Sequence, residues 1–451
     1  MKKVRICFIM LTCLIVFNGC VSKHINIGTA AAKFPSDGLQ AKYNSPYTVC
    51  YKNKDGSYSF FIFSSPIQYK GKDNMFHFID NSIVQSSYQN YDYENKENNI
   101  KTYFSKNGIC IRSNEDAQFL LNFIDESNFI LKLNENYVNS YGDSVSAVVY
   151  QSEAIDYVVY PVNMGIKCEM ILKSREALKT DIGFCLKGSF DSFLNNVFEY
   201  TTFEQESQIK SIFHYPTVML GQELRYDLQC LVDIKEVDKG CNINFTLPST
   251  VFDQAKNDSI KLDMSFVLYH SNMPDVGVYS KMNRNSYLSQ KAFVGSTPSL
   301  GEGVYLSRLR LNYFTTIKPE QILGASMNIK ALQNPSFFSN VELYNVKEQW
   351  SSTQLLWGQT PAYGQQVGKA SAITKNSYLN VEISDYVKRC FEDPAGTQES
   401  LGVLLKAKEQ SGGYGVLATS DNAAYPSFIK IDVKKLPAYF KARDAMNEQM
   451  Y

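Results

Sequence analysis

At 451 residues, with 45 basic and 45 acidic side chains, the chain carries no net charge. So even a balance argues against a nucleic-acid or polybasic membrane-surface role, which would need clustered positive charge. Thirty Tyr and 28 Phe, set among many Asn, Ser and Gly, are the makings of pleated sheets joined by turns, and the length supports roughly two or three domains with cores of their own.

In chain order, Lys2, Lys3 and Arg5 precede an apolar run at 6–17 that only Thr12 interrupts. About a dozen apolar residues suit a signal-peptide core and fall short of the ~20 of a spanning helix. Phe17-Asn18-Gly19-Cys20 follows and resembles a lipoprotein cleavage box, in which small residues precede a Cys whose thiol receives a diacylglycerol; Phe17 stands where that box usually has Leu. The resemblance implies a signal peptide at 1–19 and lipidation at Cys20, which would anchor the protein to the outer face of a bacterial cell membrane. The alternatives are an ordinary cleaved signal with release to the medium, and a retained membrane anchor. Losing residues 1–19 removes three basic groups and leaves 42 against 45 acidic ones, a net of −3.

Residues 20–47 are polar and small, without a sustained period, and are expected to form a flexible tether. From Thr48 onward, short alternating segments such as 57–64 (SYSFFIFS) recur at roughly ten-residue spacing. Lys54-Asp55-Gly56, Tyr141-Gly142-Asp143 and Asn163-Met164-Gly165 supply turn chemistry between them. This predicts an all-β protein of two β-sandwich units, one over 48–277 and a second over 278–436. In the second, Leu309 and Leu311 alternate with Arg308 and Arg310, and Ala325, Met327, Ile329 and Ala331 alternate with Ser326, Asn328 and Lys330. One short helix is expected at 384–391, capped by Ser384, with Val387, Cys390 and Phe391 on one face and Pro394 beyond it. Residues 437–451 form a small-residue, charged tail that suits a further helix.

Seven cysteines follow Cys20, an odd number, so at least one stays unpaired within the chain. Cys168 sits among Ile166, Met170 and Leu172 at period two and reads as a small hydrophobe on a buried strand face. Cys230 and Cys241 flank a turn-like Glu236-Val237-Asp238-Lys239-Gly240 and are the one pair placed to face each other across a hairpin as a disulfide.

The second unit carries a resemblance. Segments 306–311 (LSRLRL), 322–329 (ILGASMNI), 341–350 (VELYNVKEQW), 353–357 (TQLLW) with Pro361, 379–387 (LNVEISDYV), 401–406 (LGVLLK), Ser420 and 425–433 (YPSFIKIDV) occur in that order. Together, over 279–433, they resemble a DNRLRE domain, the module also classed as carbohydrate-binding module family 96. Phe391 stands where that family often has Trp. The resemblance implies a jelly-roll-like sandwich in extracellular bacterial proteins, some of which bind acidic polysaccharide. More faintly, Val149-Tyr150, Asp156, Tyr160, 165–172 (GIKCEMIL), 65–69 (SPIQY) and 78–82 (FIDNS) resemble the β-rich segment preceding such modules in wall-associated repeat proteins of Gram-positive bacteria.

Catalytic and cofactor motifs are missing: there is no G-x-S-x-G elbow, H-E-x-x-H, P-loop, G-x-G-x-x-G or CxxC pair. His24, His77, His214 and His270 are not at metal-ligand spacing and are expected to be packing or surface residues. No catalytic residue, metal site or cofactor is therefore assigned. For binding, the expectation is that Arg308, Arg310 and Lys330 form an exposed basic face able to hold the carboxylates of a glycan through forked hydrogen bonds. Trp350 and Trp357 have the wide apolar faces of sugar-stacking platforms, but both fall in the structural motif of the family that 279–433 resembles, which implies places in the core. The leading reading is a lipid-anchored, non-catalytic surface protein whose partners are the membrane, through its lipid, and an extracellular or cell-wall polysaccharide. A structural or adhesive protein without a glycan ligand is the alternative. A polysaccharide-degrading enzyme on a β scaffold is the third reading, since a glycosidase's carboxylate pair is defined in space and not in sequence.

Overall fold

The computed structural model describes residues 38–436, apart from 41–42, 114–117, 125–128, 180–181, 197–199, 206–207, 257, 269–272, 284, 310, 312–316, 371–376, 394–400 and 410–411. The expected signal peptide, Cys20, most of the tether and the 437–451 tail lie outside these residues, as do Arg310, His24 and His270. Aromatic and β-branched side chains at period two leave the chain little choice but strands. Among the described residues these build sheets of 12, 9, 8 and 2 strands, with only two short α-helices, Val251–Ala255 and Ser384–Glu392. The protein is all-β.

The eight-stranded sheet runs from Leu231–Val237 at one edge, through Gly240–Thr246, Ile182–Gly188, Gln118–Phe123, Gly108–Arg112, Lys101–Ser105 and Tyr93–Glu97, to Asp80–Gln85 at the other. The nine-stranded sheet has Ser144–Gln151, Ile155–Val162, Gly165–Leu172, Ile260–Val267 and Gln208–Leu220 at its centre. Their facing sides form one core: Phe119 lies 5.3 Å from Phe266, Phe123 lies 4.4 Å from Tyr157, and Phe213 stacks on Phe245 at 6.0 Å, centroid to centroid. Each such ring contributes about 1.5–3 kcal/mol by leaving water. Ile166, Cys168 and Met170 belong to this core, as their alternation predicts.

The 12-stranded sheet folds over on itself into a second, jelly-roll-like sandwich. Its long strand Ile322–Gln333 pairs on one side with Phe428–Val433 and, past a bulge at 331–333, with Tyr414–Ala418; on the other side it pairs with Tyr378–Glu382. That split sends the chain into two layers around Ile329, Leu343, Tyr386, Leu405, Leu417 and Ile431. The predicted helix is present at Ser384–Glu392 and buries Tyr386, Val387 and Cys390. Its N-cap is Ile383, and Ser384 instead accepts a hydrogen bond from the Ala325 backbone N–H through its hydroxyl at 2.7 Å. The turn at Leu401-Gly402 needs its glycine: Gly402 has φ +76°, and a Cβ there would lie 2.4 Å from the Ser307 carbonyl oxygen.

The strands do not divide at 278. Thr48–Lys52 and Tyr58–Phe63, expected in the first unit, extend the second sandwich through Phe428–Val433. Tyr43, Cys50, Phe60 and Ile62 fill that same core. Order also starts earlier than the tether was drawn, since the Gly38 carbonyl accepts from Lys52 and the Gln40 N–H donates to Cys50. Residue 278 itself lies inside the strand Asp275–Tyr279, paired with Gly301–Ser307. A sequence period marks each strand but not its partner, and here the partner is some 370 residues away.

The Cys230–Cys241 disulfide does not form; all seven described cysteines are free thiols. In the hairpin Leu231–Val237/Gly240–Thr246, Cys241 stands opposite Glu236, and Leu231 opposite Thr246. Cys230 is thus at the far end of the hairpin, about 20 Å along the strand at ~3.3 Å per residue, and no disulfide spans that.

Because the first two strands cover the edge of Phe428–Val433, a fragment of residues 279–436 alone exposes that edge and opens its core at Phe60 and Ile62. We expect it to give no cooperative melt by circular dichroism. A fragment that melts cooperatively alone would show the first strands to be dispensable.

Candidate functional site

The outer side of the nine-stranded sheet is polar yet buried. Lys167, Glu169, Asp263 and Ser265 alternate with the core residues of their strands and lie against the second sandwich. Asp263 is the hub: Lys167 Nζ is 2.6 Å from one carboxylate oxygen, and Lys291 Nζ is 3.3 Å from the other, which also accepts from the Tyr141 hydroxyl. Burial alone would raise its pKa, but the two ammonium groups and the hydrogen bonds outweigh that and hold it at about 2. Glu169 accepts from Tyr137 Oη and the Ser140 N–H, both at 2.8 Å. His214 donates from Nε2 to the Leu288 carbonyl at 2.9 Å, and its Nδ1 lies 3.0 Å from Ser265 Oγ, which also accepts from Gln290. Burial pushes this imidazole down to about 3, so it is neutral. The carboxylates, ammonium groups and imidazole named here are each paired by their neighbours, and the cluster is a joint between the sandwiches.

That joint takes up Lys330. It was expected on an exposed basic face, but it is 1 % exposed, with Nζ 3.3 Å from both Asp143 oxygens and 4.9 Å from the Tyr425 ring centre. The face of its strand that a two-sided period assigns to solvent is covered by the other sandwich. Arg308 does not lie on that face either. It follows the end of the strand Gly301–Ser307, half-buried, with its guanidinium over Trp350 at 4.6 Å and donating to the Trp350 carbonyl. Its strand neighbours are Asp275–Tyr279 and Val403–Ala407, so Arg308 and Lys330 are not adjacent. Trp350 is core as expected, its indole N–H donating to Leu401 O at 2.7 Å, while Trp357 is only partly buried. His77 is a surface residue paired with Asp73 at 2.9 Å.

A different face of the second sandwich is open and carries ligand chemistry. Its adjacent strands are Val403–Ala407, Val341–Val346 and Tyr363–Lys369. In register, Glu342 stands between Lys406 and Lys369, and Tyr344 between Leu404 and Gln366. Tyr363 is 38 % exposed and meets Tyr344 at 5.1 Å and 56°. Lys406 Nζ donates to the Tyr363 hydroxyl at 2.9 Å but is 5.3 Å from the ring centre. The ammonium therefore sits toward the hydroxyl end of the ring. Tyr344 donates to Glu342 at 2.7 Å, and that bond, with partial burial, pushes the phenol up to about 12. The result is a pair of angled rings bordered by lysines. The sequence reading passed over these residues although 341–350 and 401–406 carry part of the resemblance. The signal was the Glu342/Tyr344 alternation, legible as a polar face only once Lys406 and Tyr363 are known to be beside it.

Among the described residues no group of three or more His, Cys, Asp or Glu is placed to hold a metal. One carboxylate pair is unusual. Asp275 is buried, accepts from the Tyr305 hydroxyl and from the Ser420 N–H at 2.6 Å, and lies near Asp421. Burial first, then repulsion from Asp421, pushes its pKa up to about 7.

No protein family model matches the chain, and no curated protein matches it. Among solved structures, the N-terminal domain of the Streptococcus gordonii adhesin Sgo0707 aligns at 10% identity over 89% of this chain and 96% of that one, with a TM-score of 0.15. A score this low carries no argument about fold or function.

The Asp275 proton has a measurable consequence. The unfolded chain releases it near pH ~4, whereas the folded protein keeps it to about 7. The stability it contributes is complete below about pH 4 and is lost as pH rises through 7. Asp275→Asn, which still accepts from Tyr305 and Ser420, is expected to match wild type in melting temperature at pH 4 and exceed it at pH 8. Parallel melting curves across that range would show that the pair is not coupled to folding.

Proposed function

We propose that this chain is a non-catalytic bacterial surface protein that binds acidic polysaccharide on the Tyr344–Tyr363–Lys406 face and is held to the membrane by a lipid on Cys20. The observation that carries the binding reading is the Tyr363 ring, partly exposed, braced by Tyr344 and fixed at its hydroxyl by Lys406. A sugar ring stacks its C–H face on such a phenol, and a neighbouring ammonium meets a uronate carboxylate. Lys369 and Lys406 flank Glu342 across the three strands and put two ammonium groups beside the rings. The resemblance of 279–433 to the DNRLRE family supports the same ligand class, and the lipoprotein-like Gly19-Cys20 supports the anchor.

A second reading has one observation in its favour. The buried joint between the sandwiches makes a stiff body, which suits a spacer or adhesive scaffold without a glycan ligand.

Exposed charge pairs contribute about 1 kcal/mol or less each. A single face should therefore bind with micromolar to millimolar affinity that weakens as salt rises. Cells displaying the protein should retain a fluorescent polyuronate, and Tyr363→Ala with Lys406→Ala should lower that retention roughly tenfold while Arg308→Ala does not. Cys20→Ala should move the same binding activity from the cells to the medium. Retention that ignores salt and both face substitutions favours the scaffold reading; a Cys20→Ala protein that stays on the membrane with its signal removed refutes the anchor.

A further inference from the structure

The strand Leu231–Val237 closes one edge of the eight-stranded sheet. It pairs with Gly240–Thr246 on one side and, among the described residues, with no strand on the other. The two-residue turn Asp238-Lys239, with Lys239 at φ 59° and the Val237/Gly240 pair closing it, fixes the hydrogen-bond alternation. Odd-numbered residues bond inward, and the N–H and C=O groups of Val232, Ile234 and Glu236 point out from the edge.

Such an edge is a template for another strand, and natural edges usually carry charge to refuse one. Here the charges follow a rule. Read antiparallel against itself about Ile234, the sequence sets Leu231 opposite Val237, Asp233 opposite Lys235 and Ile234 opposite Ile234. Apolar meets apolar and acid meets base on the face that carries Leu231, 64 % exposed, and Val237, 39 % exposed. A slip of the partner by two residues in either direction sets Asp233 opposite Asp233 or Lys235 opposite Lys235, so the matched register is favoured over its neighbours. Within one chain, Asp233 and Lys235 already meet at 2.9 Å with both side chains more than half exposed; across the axis each gains a second partner of opposite charge.

We propose that a second copy of this chain pairs along Leu231–Val237, antiparallel about a two-fold axis at Ile234, and makes one continuous sheet of the two eight-stranded sheets. The contact is isologous and closes at two copies. It adds about six backbone hydrogen bonds, brings the two Leu231 and two Val237 side chains out of water, and lies on the first sandwich, away from the tyrosine face of the second.

Sedimentation equilibrium of the full chain in mild detergent should show a monomer–dimer equilibrium. Asp233→Lys sets Lys opposite Lys at both symmetric positions and should weaken the dimer roughly tenfold. Adding Lys235→Asp to it restores the opposite-charge match and should restore the dimer, which a variant that merely misfolds could not do. Glu236→Pro, which removes an outward N–H and no bond to Gly240–Thr246, should also dissociate it. A chain that is monomeric up to its solubility limit, a dimer indifferent to Asp233→Lys, or a double variant that fails to recover would each overturn the proposal.

Discussion

The buried carboxylate of Asp263, held 2.6 Å from Lys167 in its own sheet and 3.3 Å from Lys291 of the second sandwich, is the constraint on which the placing of the two sandwiches depends. Taking two charges out of water costs several kcal/mol per ion, so such a pair adds little net stability, but leaving one partner alone costs ~3–5 kcal/mol. Asp263 is made tolerable only by a set of partners drawn from distant parts of the chain: Lys167 from its own sheet, Tyr141 from a turn, and Lys291 from the second sandwich. Any displacement of one sandwich against the other strands a charge. An apolar joint would tolerate sliding; this one has a single register, repeated at Lys330–Asp143, Asn139–Tyr425 and Gln290–Ser265.

This joint also decides where binding chemistry is available. The central strands of the nine-stranded sheet are covered on both faces, by the eight-stranded sheet and by the second sandwich, and side chains that would otherwise face solvent are spent on each other. The open surfaces left to carry a partner are at the periphery. Among them are the Tyr344–Tyr363–Lys406 face of the 12-stranded sheet and the Leu231–Val237 edge of the eight-stranded sheet.

Period-two alternation made the strand content and the buried role of Cys168 legible, the i, i+3, i+4 spacing of Val387, Cys390 and Phe391 gave the helix at Ser384–Glu392, and the family resemblance gave the core position of Trp350. Those features depend on near neighbours in sequence or on burial alone. Partners were not legible. Lys330 occupies a polar position of an alternating strand, and nothing in that pattern tells a solvent-facing lysine from one facing Asp143. Arg308 reads as a free cation until Trp350 is placed beneath it. The boundary at 278 failed for the same reason, because the strands at 48–63 carry no mark of their pairing with Phe428–Val433. The tyrosine face was hidden because its members come from three separated strands.

If the buried joint registers the two sandwiches as we describe, neither can unfold while the other stays native. Differential scanning calorimetry of the full chain tests this most directly. The account predicts one endotherm whose calorimetric and van't Hoff enthalpies agree, despite a size at which separate domain transitions are common. Two resolved endotherms, or a calorimetric enthalpy well above the van't Hoff value, would mean that the sandwiches melt independently and that the charged layer is only a surface on which they rest.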